Sequence, residues 1–280
     1  MKRFYLITLL LALALGCNAQ RQADKADSIE VCRLLTQAPD TAGTLYFARQ
    51  LKDRPYVPHT LEVNDTEQLV VNLRHLDCTT LVENATALAL CVQHGDRTFA
   101  AFRHWLTQLR YRQGRLNGYP SRLHYFTDWM NDKIDMGIVS EVKGIPFRGM
   151  QTVHVNYMSE HPSEYKALVA HPEFVPVIVN QERRLSGQKH SFLPKSEVKN
   201  TPILRRLIHD GDIIAITCTK KGLDIAHVGI AVWHRDGLHM LHASSVKKKV
   251  IEDPVPLNRY LADHPSFTGI RLVRIQRNSK

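Results

Sequence analysis

Cysteine is scarce in this chain. There are five in 280 residues, and no pair has the close spacing of zinc-finger ligands. Cys17 falls in the N-terminal apolar segment. The other four, Cys32, Cys78, Cys91 and Cys218, would permit two disulfides, but they are too dispersed for the dense framework of a small stapled module. Low-complexity tracts and internal repeats are missing too, which excludes solenoids and long flexible linkers. The N-terminal apolar run, Phe4 to Leu15, is too short to cross a bilayer comfortably. The chain also lacks a helix-turn-helix cue, a zinc finger and an aromatic RNA-binding motif. Its net charge of +10 is therefore not organised for nucleic acid. That charge describes a solvated basic surface or an anionic partner such as cell-wall polymer or lipid. Lys247-Lys248-Lys249 is expected to be a solvated turn.

The N-terminus carries an export signal. Lys2 and Arg3 are followed by the apolar run and by the small residues Gly16, Cys17 and Ala19. Two processing routes are open. Cleavage after Ala19 gives a signal peptide over 1–19 and a soluble protein. Alternatively, Ala14-Leu15-Gly16-Cys17 resembles a bacterial lipoprotein box, which would end the signal at 16 and anchor Cys17 to lipid. Either route places the protein in the periplasm or cell envelope. About 260 residues remain, enough for one domain over 20–280 with a proper core. Without Lys2 and Arg3 the net charge is +8.

Periodicity predicts a helical first half and a strand-rich second half. Short helices are expected over 25–36 and 44–53, broken by Pro39, Asp40 and Gly43. Leu69 to Leu73 reads as a strand or extended approach. Leu81, Val82, Ala85, Leu88 and Val92 then recur at helical spacing, giving a helix from 78 to 93. Phe99 to Leu109 continues as a second helix, and Leu123 to Asp135 as a third. Residues 137–200 are mixed, with strands expected at 151–155 and 174–179 and a helix near 162–170. Strands follow at 213–218, 225–233 and 238–243, with edge strands at 250–251 and 269–275. The fold class is α+β, with the Cys78 helix packed on an antiparallel sheet and a helical insert over about 97–205.

Three segments carry chemistry. Leu76-Asp77-Cys78-Thr79 puts a thiol at a helix start, where unpaired N–H groups and the peptide dipole favour thiolate. Ala226-His227-Val228-Gly229-Ile230 and Leu241-His242-Ala243-Ser244 supply imidazoles on strands. Cys78 is the candidate nucleophile and His227 its base and later acid. His242 is the candidate orienting member. His239 is its rival, although alternation from Leu238 to His242 turns His239 toward solvent. The Cys78 backbone N–H is a candidate oxyanion donor, and Asp77 a helix cap.

Asp77-Cys78-Thr79-Thr80-Leu81-Val82-Glu83, His227-Val228-Gly229-Ile230 and Leu241-His242-Ala243-Ser244 resemble, in order, the three catalytic blocks of the NlpC/P60 cell-wall hydrolases. Most of the mature chain is similar, more diffusely, to the DUF1460 branch, described as N-acetylmuramoyl-L-alanine amidase-like. The resemblance implies a papain-like fold, a Cys78-His227-His242 triad, no metal and no other cofactor. It implies a peptidoglycan or muropeptide substrate cut between N-acetylmuramic acid and L-alanine. Two alternatives stay open: a γ-D-glutamyl endopeptidase of the same fold, or a non-catalytic envelope-binding lipoprotein. The insert has no counterpart in minimal members. Within it, Tyr119, Tyr125 and Trp129 are candidates to stack on sugar, and Arg122 to pair with a carboxylate. The competing reading makes Tyr125 and Trp129 a core stripe. A monomer with no nucleic-acid partner is expected.

Overall fold

A computed structural model describes residues 25–276. The leader and the alternative lipidation at Cys17 lie outside them. Among the described residues no helix is long and apolar enough to cross a membrane. Cys32, Cys78, Cys91 and Cys218 are all free thiols.

Helices come first. Residues 25–37 are helical (α1), followed by α2 (Thr44–Gln50), α3 (Cys78–Gln93), α4 (Phe99–Arg110) and α5 (Phe126–Asp135). A mixed stretch holds β1 (Val139–Glu141), β2 (Gly149–Thr152), α6 (Tyr157–Glu160), α7 (Lys166–Ala170), α8 (Val175–Leu185), β3 (Lys189–Pro194) and α9 (Pro202–Leu207). The C-terminal third is mostly sheet: β4 (Ile213–Cys218), β5 (Ile225–Trp233), β6 (Leu238–Ser244), β7 (Lys249–Glu252), α10 (Leu257–Ala262) and β8 (Phe267–Ile275).

The strands form one antiparallel sheet in the order β2-β3-β8-β4-β5-β6-β7, with β1 also on β8. The architecture is α+β. All six residues of β4 are buried because both its faces are covered. Ile213 and Ala215 join a core with α1 to α5, while Ile214 and Ile216 join a second core with α9 and α10. That double cover is why this segment reads as a continuous apolar run.

Three expectations change. The strand at 269–275 is internal, because β3 and β1 both pair with β8 beyond β4. Residues 174–179, expected extended from their valines, open α8 instead. Pro176 is tolerated in that first turn, and Ile178, Glu182 and Leu185 fall on one buried face. Helical spacing thus outweighs β-branched content. Residues 69–73 form no strand. Their backbone is satisfied by side chains: Arg110 donates to the Val70 carbonyl, Asp27 accepts from the Leu73 N–H, and Asn84 donates to the Asn72 carbonyl. Only Leu76 pairs, in an isolated bridge with Tyr56.

The insert is mixed rather than helical, and buried polar groups stitch it to the sheet. Arg271 on β8 donates to Thr127 Oγ1 at 3.0 Å and to His190 Nδ1 at 3.1 Å. Asp224 accepts from the Thr127 N–H at 2.6 Å, just ahead of β5.

Candidate active site

Asp77 terminates the extended approach and caps α3. Its Oδ1 accepts from the Thr80 N–H at 2.8 Å, and Thr80 Oγ1 accepts from the Asp77 N–H at 2.9 Å. This reciprocal box ties up the N–H groups of Asp77 and Thr80. It holds Cys78 at the first helical position. Five residues on, Glu83 meets Arg110 at 2.8 Å in a fully buried ion pair. Because Arg110 also holds Val70, one guanidinium locks both the helix and the segment leading to it.

The thiol environment differs from the thiolate expected at a helix tip. Burial pushes Cys78 up to about 11, and the Asp77 charge adds to the rise. Hydrogen bonds from the Val228 main chain and from Thr79 oppose it without cancelling it. Desolvation thus outweighs the helix dipole, which contributes only a fraction of a charge. Geometry supports the placement: Cys78 packs against the core that contains Val228, the residue next to His227.

His227 and His242 meet directly, Nε2 to Nδ1 at 2.7 Å, with rings perpendicular. Register explains this. Ile230 stands opposite Leu241, so alternation puts 227 and 242 on one face. Gly229 shares that face. A Cβ there would fall 2.5 Å from Met240 Cγ and 2.9 Å from the Leu241 carbonyl, so the motif requires glycine. A β-bulge precedes His227: Ile216 pairs with His227 and Thr217 with Ile225, leaving Ala226 extra. Such a bulge bends the strand and re-aims the next side chain.

The relay continues to a residue that sequence reasoning missed. His242 Nε2 lies 3.2 Å from Asp253 Oδ2. Burial pushes the Asp253 carboxyl up, but hydrogen bonds from His242 and the Val255 N–H outweigh it and leave Asp253 below the usual carboxylate range. A charged Asp253 accepts a proton-bearing Nε2, which makes His242 Nδ1 an acceptor. His227 must then donate from Nε2, leaving its Nδ1 lone pair as a base. Burial lowers His227 to about 3, and the charges of His242 and His264 add to that fall. Two tyrosines feel the charges of the site. Burial and then the Cys78 and Asp77 charges raise Tyr56; burial, Asp253 and Cys78 raise Tyr260 to about 12. Tyr260 also packs edge-on against His242. Asp253, Tyr56, Tyr260 and His264 lie in segments with no distinguishing pattern, and no spacing signal marks them.

His239 takes no part in this relay, and it does not face solvent. It is only 2% exposed, held by the Asp253 carbonyl at 2.8 Å and Asp236 at 2.9 Å. Both faces of β6 are covered, so alternation there does not separate core from solvent.

The four residues proposed to touch substrate are buried. Trp129 has no exposed surface and stacks on Phe126 inside the main core. The Tyr125 hydroxyl donates to Glu182 at 2.7 Å within the insert's own core. Neither ring offers a face to a sugar. Arg122 lies over the Tyr119 ring and is paired with Glu62 and Glu67, so its charge is already matched. Tyr119 is 3% exposed, at the wall of a cavity of about 300 Å³ shared with Glu62, Glu67, Lys166 and Phe174. Cys91 lies deep in the core, where burial raises its thiol to about 12; Cys218 is buried as well.

The described geometry can be set beside known proteins. Residues 46–270 match the family model for AmiA-like proteins, described as N-acetylmuramoyl-L-alanine amidase-like. A crystal structure of an N-acetylmuramoyl-L-alanine amidase from Bacteroides uniformis is 41% identical, covering 83% of this chain and 97% of that one, with a TM-score of 0.78. A Legionella pneumophila protein assigned to DUF1460 shares the fold at 20% identity, covering 91% of this chain and 95% of that one, with a TM-score of 0.70. No curated protein matches the chain. Matched over most of its length by the family model and by a 41% identical structure, the chain belongs to the AmiA-like, N-acetylmuramoyl-L-alanine amidase-like family of peptidoglycan hydrolases.

Proposed function

We propose that this protein is a cysteine amidase of the papain-like NlpC/P60 kind, cleaving the bond between N-acetylmuramic acid and L-alanine in muropeptides. One observation carries the reading: a hydrogen-bonded line from Asp253 through His242 to His227, on the strand whose Val228 belongs to the core that Cys78 packs against. The Bacteroides uniformis relative is named for the same bond. The expected leader fits a substrate that lies in the cell envelope.

The chemistry follows from the protonation states. Thiol and imidazole rest neutral, since burial disfavours either charge alone. His227 Nδ1 takes the thiol proton as the sulfur attacks the lactyl carbonyl carbon, and the carbonyl electrons move to oxygen. The capping box leaves the Cys78 N–H uncommitted, so this N–H is the donor for that oxyanion. His227, a weak holder of protons, then protonates the alanine nitrogen; the C–N bond breaks and the stem peptide leaves. Water attacks the thioester, losing its proton to His227. The muramyl carboxylic acid departs and the thiol is restored. Asp253 supports the transient positive charge on the two imidazoles without taking the proton.

The test is digestion of a defined muropeptide followed by mass analysis. Wild type should release an intact stem peptide, and Cys78→Ala none. Undiminished cleavage by Cys78→Ala would remove the cysteine mechanism. Release of a dipeptide would move the cut to the γ-D-glutamyl bond.

A further inference from the structure

The tip of the β5–β6 hairpin carries a second cluster, separate from the thiol. Among the described residues, a ring nitrogen of His234, a carboxylate oxygen of Asp236 and a ring nitrogen of His239 lie within 4.8 Å of one another. We propose that these three residues bind a divalent transition-metal ion of the zinc class.

Both imidazoles are held from behind, as metal-ligating histidines generally are. His239 Nδ1 lies 2.8 Å from the Asp253 carbonyl, so that nitrogen carries the proton and Nε2 presents a lone pair. His234 Nε2 lies 2.7 Å from Glu252, which Arg49 in turn fixes through two guanidinium contacts. At its open end His239 Nε2 faces Asp236 Oδ1 at 2.9 Å. Two lone-pair donors at that distance need a cation between them. A proton satisfies two groups, but it gives no reason for a third to converge. The His234 ring does converge, its centroid 4.3 Å from that of His239. For metal–ligand bonds of about 2.0–2.1 Å, tetrahedral ligands sit roughly 3.3 Å apart, which small side-chain shifts achieve here. Two imidazoles and one carboxylate suit zinc, nickel or copper rather than calcium or magnesium. His234 and Asp236 are exposed, so water completes the coordination. His239 is buried and anchors the site.

Untagged, chelator-treated protein titrated with Co²⁺ provides the test, followed by visible absorption and then Zn²⁺ displacement. One ion per chain is expected, with ligand-field bands and no sulfur-to-cobalt charge transfer. His234→Ala and Asp236→Asn, both at exposed positions, should each weaken binding roughly tenfold or more. Absence of binding, a titration that neither variant alters, or bands showing thiolate coordination would each overturn the site.

Discussion

A single carboxylate decides which nitrogen of His227 keeps its lone pair. Asp253 touches neither sulfur nor substrate; it acts through His242. Asp253→Asn preserves size but presents an amide that can donate to His242 Nε2. The tautomer chain then reverses and the lone pair on His227 Nδ1 is lost. We expect kcat to fall by about 10² to 10⁴ with KM little changed, as when a comparable carboxylate is neutralised in a serine triad. Steady-state kinetics on a muropeptide would read this, and an unaltered kcat would count against the relay. Cys78, His227 and His242 stand out as candidates in the sequence because each sits in a short motif with a local reason for its place. Asp253 was not, because its role depends on where the turn after β7 runs.

At the scale of the element, the start of α3 performs two opposed tasks. Asp77 caps the helix, worth about 1 kcal/mol in comparable cases, yet its charge pushes the Cys78 thiol further up. Asp77→Ala should therefore lower stability by roughly that amount while moving the thiol pKa downward. Iodoacetamide alkylation of Cys78 across pH reports the second effect, with the midpoint expected at lower pH in the variant. A midpoint that rises or stays put would show that the Asp77 charge does not govern the thiol. The helix itself could be read from sequence because its apolar period is long and its cap is local. The β5 bulge at Ala226 could not, since a bulge exists only relative to the strand opposite.

Across the whole molecule, half-buried histidines held neutral lower stability in acid. Burial, with nearby cationic charge, lowers His227 and His124 to about 3 and His190 to about 4. Above pH 6.5 each is neutral whether folded or unfolded. As pH falls below that value, the unfolded chain takes up protons that the folded protein refuses, so stability drops. Each such proton contributes about 1.4 kcal/mol per pH unit. Melting temperature should fall steeply between pH 6.5 and 4. His190→Gln, which can still accept from Arg271, should flatten the slope by about one proton. A melting curve insensitive to pH over that range would contradict these burials. The Glu83–Arg110 pair gives a second whole-molecule prediction. Glu83→Gln leaves a buried guanidinium without its counter-charge, and urea denaturation should show a loss of about 3–5 kcal/mol. A loss below 1 kcal/mol would mean that Arg110 is satisfied by Val70 alone.

Features that depend on near neighbours along the chain can be read from the residues alone. These include the α3 helix and its Asp77 cap and the strand character of β4 to β6; the face shared by His227 and His242 came only with the register of β5 on β6. Long-range pairing decided the rest. Only the folded molecule shows that β8 is internal, that Tyr125 and Trp129 are spent on packing, that Arg122 is neutralised by Glu62 and Glu67, and that Asp253 completes the relay. The physical reason is that burial and charge pairing depend on residues distant in sequence. Desolvation, set by the whole fold, overrode the local dipole at Cys78 and left its sulfur a thiol.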